Sequence, residues 1–193
     1  MNDSNQEGQL NILGRPILVP LDGSEVAAGI LPYASQVARS CNVPLVLLTV
    51  VDSDAIERPT SPLTLLSLAR DKGPNYWDEI EESLQVSALD SLKGLASRLR
   101  KEGVAVEVQA ALGRPAEQIL QVSEVVECGL IAMSTHGRNP ISRSILGSVT
   151  DKVIHTSKIP VLTVTPERGK SYQEEGTHVT TVVVPLDGSE LAE

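Results

Sequence analysis

The stretch from Ser134 to Ser148 carries residue types that could bind phosphate. It follows an apolar run at 129–133 and precedes a helical pattern at 149–154, which predicts a strand, a glycine-bearing loop and the start of a helix. Gly137 can adopt a positive φ and lets a ligand approach the backbone closely, because it has no Cβ. The alternative is that the glycines of this stretch only form a tight connection between strand and helix.

The end of this loop has the further donors that phosphate needs. Gly147 and Ser148 stand where a helix begins, and the N–H groups and positive dipole end of a helix start attract anions. Arg138, Arg143 and the Ser148 hydroxyl are additional donors, although Arg143 can equally cap an exposed loop. The missing side chain of Gly147 is expected to leave space for phosphates, so Gly147→Val should abolish their binding and leave the fold intact.

A carboxylate follows the first predicted strand. The apolar run 17–21 ends at Asp22-Gly23-Ser24, a turn signal. Asp22 can form a hydrogen bond within this turn, or it can bind ribose hydroxyls or a magnesium ion through water. Asp52, at the end of the second predicted strand, is expected to be a turn residue rather than a ligand.

Other chemistries find less support. The three histidines, at 136, 155 and 178, have no clustered cysteine beside them, so a zinc site is not expected. The chain has no serine in the strained elbow sequence of a hydrolytic triad. Cys41 and Cys128 both lie beside apolar segments, which predicts two reduced thiols at the edge of a core.

Strands and helices alternate along the chain, which predicts an α/β fold. Five rounds of this alternation indicate a parallel sheet with right-handed crossovers and helices on both faces, and ligands of such sheets lie beyond the carboxyl ends of the strands. The irregular connection 53–74 is expected either to cover the site or to have no role. The expected strands are 17–21, 43–51, 104–110 (at or near an edge), 129–133 and 159–164, and the expected helices are 25–40, a short one at 63–69, 76–101, one from Pro115 and one from about 147 to 156.

Composition excludes several classes of protein. The formal net charge of −9 argues against a nucleic-acid partner, because an acidic surface repels the phosphate backbone. Aromatic residues make up 2% of the chain, too few for a platform on which single strands stack. The N-terminus lacks the pattern of a signal peptide and no apolar run reaches the roughly 20 residues of a membrane helix, so no membrane partner and a cytoplasmic location are expected.

The sequence of the first predicted strand and the turn after it occurs a second time near the end of the chain. After a hydrophilic stretch, residues 182–192 restate residues 17–27 almost residue for residue, including the shared Val-Pro-Leu-Asp-Gly-Ser-Glu. We therefore expect a tandem repeat of which only the start of the second copy is present. The expected organisation is a polar tail at 1–14, a domain at 15–166, a linker at 167–180 and the first strand of a truncated second domain at 181–193.

Three groups of residues together resemble the universal stress protein family. They are Val19-Pro20-Leu21-Asp22-Gly23-Ser24, then Gly113-Arg114-Pro115-Ala116, and then Ser134-Thr135-His136-Gly137 with Gly147-Ser148 after nine intervening residues. The resemblance covers residues 15–166. It implies a Rossmann-like, adenine nucleotide alpha hydrolase-like domain with strand order 3-2-1-4-5, and a homodimer through the fifth strand or a tandem partner domain.

The resemblance also implies a nucleotide site. One subclass of the family binds ATP through Gly-x2-Gly-x9-Gly-Ser/Thr, and another subclass lacks the motif and binds none. In this chain Ser134 stands where the motif has its first glycine, which introduces a Cβ where the backbone should approach the nucleotide. The nucleotide-binding residues implied are Pro20, Leu21, Asp22, Val50, Ser134, His136, Gly137, Arg138, Arg143, Gly147, Ser148 and Val149.

The function implied is an ATP-binding module of a stress response. Magnesium would bridge the phosphates, with Asp22 near it through water. Hydrolysis is expected to be slow at most, because no base for water is evident, and no catalytic residue is assigned. The alternatives are a nucleotide-free dimerisation module, favoured by Ser134, and a slow ATPase or an enzyme that phosphorylates itself on Ser142 or Ser144.

Overall fold

A single parallel sheet forms the centre of the molecule. The computed structural model describes residues 14–56, 59, 61–73, 75–136 and 146–165. Its five strands lie in the order β3-β2-β1-β4-β5, which confirms the expected fold class and strand order. The strands are β1 (Ile17–Pro20), β2 (Leu45–Asp52), β3 (Val106–Gly113), β4 (Leu130–Ser134) and β5 (Val161–Val164).

Six α-helices in the described residues connect the strands. The first predicted helix, 25–40, is wrong as a single element, because the chain forms two helices there. Pro32 lies in the first turn of the second one, where it has no N–H to donate to a carbonyl of the preceding helix. The helices are α1 (Glu25–Ala28), α2 (Leu31–Cys41), α3 (Pro62–Lys72), α4 (Tyr76–Lys101), α5 (Pro115–Val125) and α6 (Ser148–Thr156).

The register of β2 and β3 explains why β3 is displaced from its predicted bounds of 104–110. The two strands pair over eight residues, from Leu45 opposite Val106 to Asp52 opposite Gly113. Pairing with β2 therefore extends β3 three residues beyond its predicted end at residue 110. As predicted, β3 lies at an edge of the described sheet, and β5 forms the other edge.

The sheet separates two hydrophobic cores. The first core lies beneath α2 and α4 and includes Ile17, Val19 and Ala132. The second lies beneath α5 and α6 and includes Leu18 and Met133. Adjacent strand residues thus face opposite cores, as the period of two requires.

The two cysteines contact different cores. Cys41 packs against the first core and Cys128 is buried in the second, so the sheet lies between the two thiols and both are free, as expected. Burial raises the pKa of the Cys128 thiol to about 11.

The long connection after β2 contains more structure than predicted. A 3₁₀ turn follows at Ser53–Ala55, and the short helix expected at 63–69 is the longer α3. The side chains of α4 that are fully buried, Leu92, Ala96 and Leu99, all lie in its second half. Among the described residues we find no helix that is both long and apolar enough to cross a membrane.

Candidate functional site

The carboxyl end of β4 and the amino end of α6 are bound directly to each other. The Gly147 N–H donates to the Thr135 carbonyl oxygen at 2.8 Å, and the Thr150 hydroxyl donates to the Ser134 carbonyl oxygen at 2.9 Å. Both acceptors stand at the end of a buried strand, and Thr150 is itself buried. The start of α6, with its positive dipole end, is thereby fixed at the carboxyl edge of the sheet, which is where ligands of parallel sheets bind.

Gly147 has a structural reason to be glycine that the sequence did not reveal. A Cβ built on it would lie 3.1 Å from the Thr135 carbonyl oxygen and 3.7 Å from the His136 Cα. The missing side chain of Gly147 therefore leaves room for the end of β4. The effect of Gly147→Val on phosphate binding and on the fold stays a prediction, and this contact adds an expected loss of stability, because the larger side chain would overpack the junction of α6 with this strand.

Ser134 does not place its side chain on the α6 face of the sheet. Met133 packs in the second core and Ala132 in the first, so the alternation of the strand directs Ser134 towards the first. Its hydroxyl lies 3.4 Å from the carbonyl oxygen of Val164 on β5. The extra Cβ relative to glycine thus points away from the face that carries α6.

Asp22 forms the turn hydrogen bonds that its position after β1 predicts. Its Oδ1 accepts from the Ser24 N–H at 2.9 Å and from the Ser24 hydroxyl at 2.6 Å. Ser24 in turn caps α1, because its Oγ accepts from the Ala27 N–H. The carboxylate is therefore held at the end of β1 by the turn itself.

Val50 and Val149 approach the same region from β2 and α6. Both are half-buried and pack against the second core. In contrast, Pro20 and Leu21 are buried, and the Leu21 N–H donates to the Leu48 carbonyl oxygen, so their side chains belong to the interior. Asp52 is a turn residue, as expected, and its carboxylate accepts from the Asp54 N–H.

Thr135 and His136 form the link between β4 and the glycine loop. The Thr135 N–H donates to the Val164 carbonyl oxygen at 3.0 Å, and the Thr135 Oγ1 lies 3.0 Å from the His136 Nδ1. The His136 Nε2 is buried and has no hydrogen-bond partner among the described residues.

Comparison with known proteins identifies the class of this domain. The model of the universal stress protein family matches residues 14–165. The chain belongs to the universal stress protein family. The universal stress protein YxiE of Bacillus subtilis is 30% identical over 148 residues, which cover 77% of this chain and 97% of the relative.

Solved structures of this family have the same fold. The structure of MJ0577 from Methanocaldococcus jannaschii is 27% identical, covers 78% of this chain and 95% of its own, and superposes with a TM-score of 0.62. A universal stress protein solved in complex with cAMP is 21% identical, covers 79% and 97% of the two chains, and has a TM-score of 0.53.

Charged side chains of this universal stress protein domain form a chain of ion pairs that the sequence did not predict. Arg114 pairs with Asp54 at 3.0 Å and approaches Glu117 at 3.8 Å, and Glu117 pairs with Lys152 of α6 at 3.0 Å. The hydrogen bond that Arg114 donates to Asp54 raises the pKa of Arg114, and the hydrogen bond that Glu117 accepts from Lys152 lowers the pKa of Glu117. The pairs connect the turn after β2 with α5 and α6.

The sequence contained only a partial signal for these contacts. Arg114 belongs to the Gly113-Arg114-Pro115-Ala116 motif, but its partner Asp54 lies 60 residues away. Thr135 belongs to the Ser134-Thr135-His136-Gly137 motif, but neither Thr135 nor Thr150 was predicted as a site residue, although both fix the α6 junction. Of the predicted site residues, Gly137, Arg138 and Arg143 lie outside the described residues, as do Ser142 and Ser144.

A separate cavity lies near the amino ends of β2 and β3, at the other end of the strands from the candidate site. Its volume is about 290 Å³, and it lies between the carboxyl ends of α2 and α4, where Arg39, Asn42 and Gly103 contribute to its lining. This cavity contains none of the predicted site residues.

Proposed function

We infer that this universal stress protein domain binds an adenine nucleotide, with ATP as the first candidate, at the carboxyl edge of the sheet. The observation that carries the proposal is the fixed start of α6 beside the end of β4. It provides backbone N–H groups and a positive dipole end, the combination that binds phosphate in many folds. The relative in complex with cAMP has an adenine nucleotide as its ligand.

Six of the predicted residues have a role in this proposal. Ser148 and Val149 begin α6 and would meet the phosphates and ribose with their N–H groups and the Ser148 hydroxyl. Asp22 would bind the ribose, and the Val50 backbone at the end of β2 would contact the adenine. Pro20 and Leu21 would contribute through their backbone, because their side chains are buried.

Magnesium fits this site only as a partner of the phosphates. The described residues contain no group of three or more histidine, cysteine or acidic side chains that could hold a metal alone. Magnesium commonly keeps several waters and binds one or two carboxylates together with substrate phosphates. Asp22 would hold it through water, and the ion would neutralise phosphate charge.

A charge placed at the start of α6 tests the proposal. Ser148 is exposed at the first position of the helix, so Ser148→Asp should leave the fold intact or stabilise it, since acidic side chains favour helix N-termini by about 0.3–1 kcal/mol. The same carboxylate should repel phosphates, and we expect ATP affinity measured by calorimetry to fall about 10-fold or more. Ser97→Asp, an exposed position on α4, is the matched control and should leave ATP affinity unchanged.

The two variants together separate binding from folding. Equal ATP affinity of Ser148→Asp and Ser97→Asp would contradict a phosphate site at α6. Lower affinity in Ser148→Asp with an unchanged melting temperature would support it. Turnover of ATP measured in the same samples would favour the slow ATPase over the binding module.

Assembly through β5 is the second function that a specific observation favours. β5 is an edge strand of the described sheet, and its residues Val161, Leu162 and Thr163 are only half-buried, so part of each is accessible to solvent. Exposed sheet edges pair readily with other strands. We propose that two chains associate along β5, with nucleotide binding changing the output of the assembled module in a stress response. The restart at 181–193 as a second domain, and the cytoplasmic location, stay predictions.

A further inference from the structure

The motif at 113–116 fixes the base of one arginine at the carboxyl edge of the sheet. Arg114 stands between Gly113, whose φ is 141°, and Pro115, the first residue of α5. A Cβ on Gly113 would lie 3.0 Å from the Gln118 side chain, and the Arg114 carbonyl oxygen accepts from the Gln118 N–H. The backbone of Arg114 is therefore held by its neighbours and by α5, and its guanidinium extends from a fixed position.

The turn after β2 is the partner of this arginine. Asp52 lies opposite Gly113 in the sheet, so the 3₁₀ turn Ser53–Ala55 begins beside the motif. The turn brings two carboxylates together, because the Asp54 N–H donates to the carboxylate of Asp52. The Arg114 Nε donates to the Asp54 Oδ2 at 3.0 Å, and Asp54, followed by Asp52 with a smaller effect, raises the pKa of Arg114. One cation thus holds a turn that contains two negative charges.

Glu117 lies between two cations. Its Oε1 pairs with Lys152 of α6 at 3.0 Å and lies 3.8 Å from the Arg114 Nη1. Lys152 lowers the pKa of Glu117, whereas Asp54 acts in the opposite direction, because the two carboxylates repel each other. Lys152 therefore keeps Glu117 from competing with Asp54 for Arg114, and it offsets their repulsion. We refer to Asp54, Arg114, Glu117 and Lys152 as the charge cluster.

Lys152 also lies within reach of the start of α6. It follows Ser148 by four residues, so the two side chains lie on one face of the helix with their Cβ atoms about 5–6 Å apart. Both residues are exposed, and helical side chains lean towards the helix N-terminus. An anion bound at the start of α6 would therefore attract the Lys152 ammonium away from Glu117.

We propose that the charge cluster transmits the presence of phosphate at the start of α6 to the turn after β2. When Lys152 turns towards phosphate, Glu117 competes for Arg114 and repels Asp54, so that Arg114 binds the turn less tightly. The inference rests on the proposed nucleotide-binding function. It adds a regulatory output, because the turn leads into the connection that carries α3.

The coupling is measurable without any ligand. NMR gives the rates at which the Arg114 Nε–H and the Asp54 amide exchange with solvent, which report on both sides of their contact. Lys152→Gln should raise both rates about 2- to 5-fold, the range of one exposed ion pair, and Glu117→Gln should lower them. Lys152→Arg keeps the charge and should retain the wild-type rates. Lys93→Gln breaks an exposed ion pair within α4 and is the matched control, which should change neither rate.

A fixed negative charge imitates the phosphate. Ser148→Asp places a carboxylate one turn before Lys152, so it should raise both exchange rates without ligand, whereas Ser97→Asp on α4 should not. Saturating ATP at constant ionic strength should raise both rates in the wild type, and adenosine, which has no phosphate, should not. ATP should have no further effect on the rates of Lys152→Gln. Circular dichroism and melting temperatures verify that the variants are folded.

The results separate this inference from the function on which it depends. Equal exchange rates in Lys152→Gln and Lys93→Gln would overturn the coupling, even if calorimetry shows that the protein binds ATP. Bound ATP that leaves the wild-type rates unchanged would also overturn it, and in both cases the nucleotide site stands. If calorimetry detects no binding of ATP, the proposed function fails and this inference fails with it.

Discussion

At the scale of single residues, Gly147 shows how a motif residue can serve the fold as well as a ligand. Its φ of −62° is open to any residue, so backbone conformation does not require glycine there. The requirement comes from the Thr135 carbonyl oxygen, which would lie 3.1 Å from a Cβ and cannot easily retreat because it accepts the Gly147 N–H. Glycine at this position therefore permits the close junction between β4 and α6.

This account predicts opposite effects of alanine at two glycines. Gly147→Ala should lower the free energy of unfolding by about 1 kcal/mol, and Gly147→Val by about 1–3 kcal/mol, because the added atoms overpack the junction. Gly94 is an exposed glycine inside α4 with nothing near its missing Cβ, so Gly94→Ala should stabilise by about 0.5–1 kcal/mol. Denaturant unfolding measures both. A Gly147→Ala protein stabilised like Gly94→Ala would show that the junction is not tight.

At the scale of elements, β5 has unpaired backbone groups along its outer edge. The carbonyl oxygens of Pro160 and Val164 accept from β4, so the backbone N–H and C=O groups of even-numbered residues point towards β4. The N–H of Thr163 therefore points to the outer edge of the sheet. An outward N–H at a sheet edge is available to the strand of a second chain. A dimer through β5 would use this group.

A proline substitution tests this edge without disturbing the hydrogen bonds between β5 and β4. Thr163→Pro removes the outward donor, and prolines are tolerated at sheet edges, so the domain should remain folded. Light scattering should give twice the mass of one chain for the wild type and the mass of one chain for the variant. Ala110→Pro, at a corresponding outward position on the opposite edge strand β3, should keep the larger mass. A wild-type protein with the mass of one chain, or a Thr163→Pro protein that still pairs, would argue against association through β5.

At the scale of the whole molecule, the sequence predicted the fold in more detail than the site. The spacing of apolar residues along the sequence predicts all five strands and both helical layers, because it reports burial directly. The observed bounds of two elements differ from the predicted ones. Pro32 divides the first predicted helix in two, and pairing with β2 displaces β3 along the sequence. The repeat at 182–192 lies outside the described residues and stays a prediction.

The site was harder to predict because its contacts join distant residues. Thr135 meets Gly147 and Val164, and Arg114 meets Asp54 across 60 residues, whereas a sequence pattern reports only neighbours along the chain. The direction of the Ser134 side chain likewise depends on which core Met133 occupies. Motif spacing located the β4–α6 junction, and only the packing showed what each motif residue contacts.

We propose that the start of α6 and the ends of β1 and β2 bind an adenine nucleotide. Purified protein should be denatured and the released small molecules analysed, and stripped protein should then be heated with and without ATP and magnesium. We expect a released adenine nucleotide, or a stabilisation by added ATP of about 2.7 kcal/mol at 100 times the wild-type dissociation constant, reduced to about 1.4 kcal/mol in a Ser148→Asp protein whose affinity is 10-fold lower. No released nucleotide and an unchanged melting temperature at millimolar ATP would contradict the claim and leave the nucleotide-free dimerisation module.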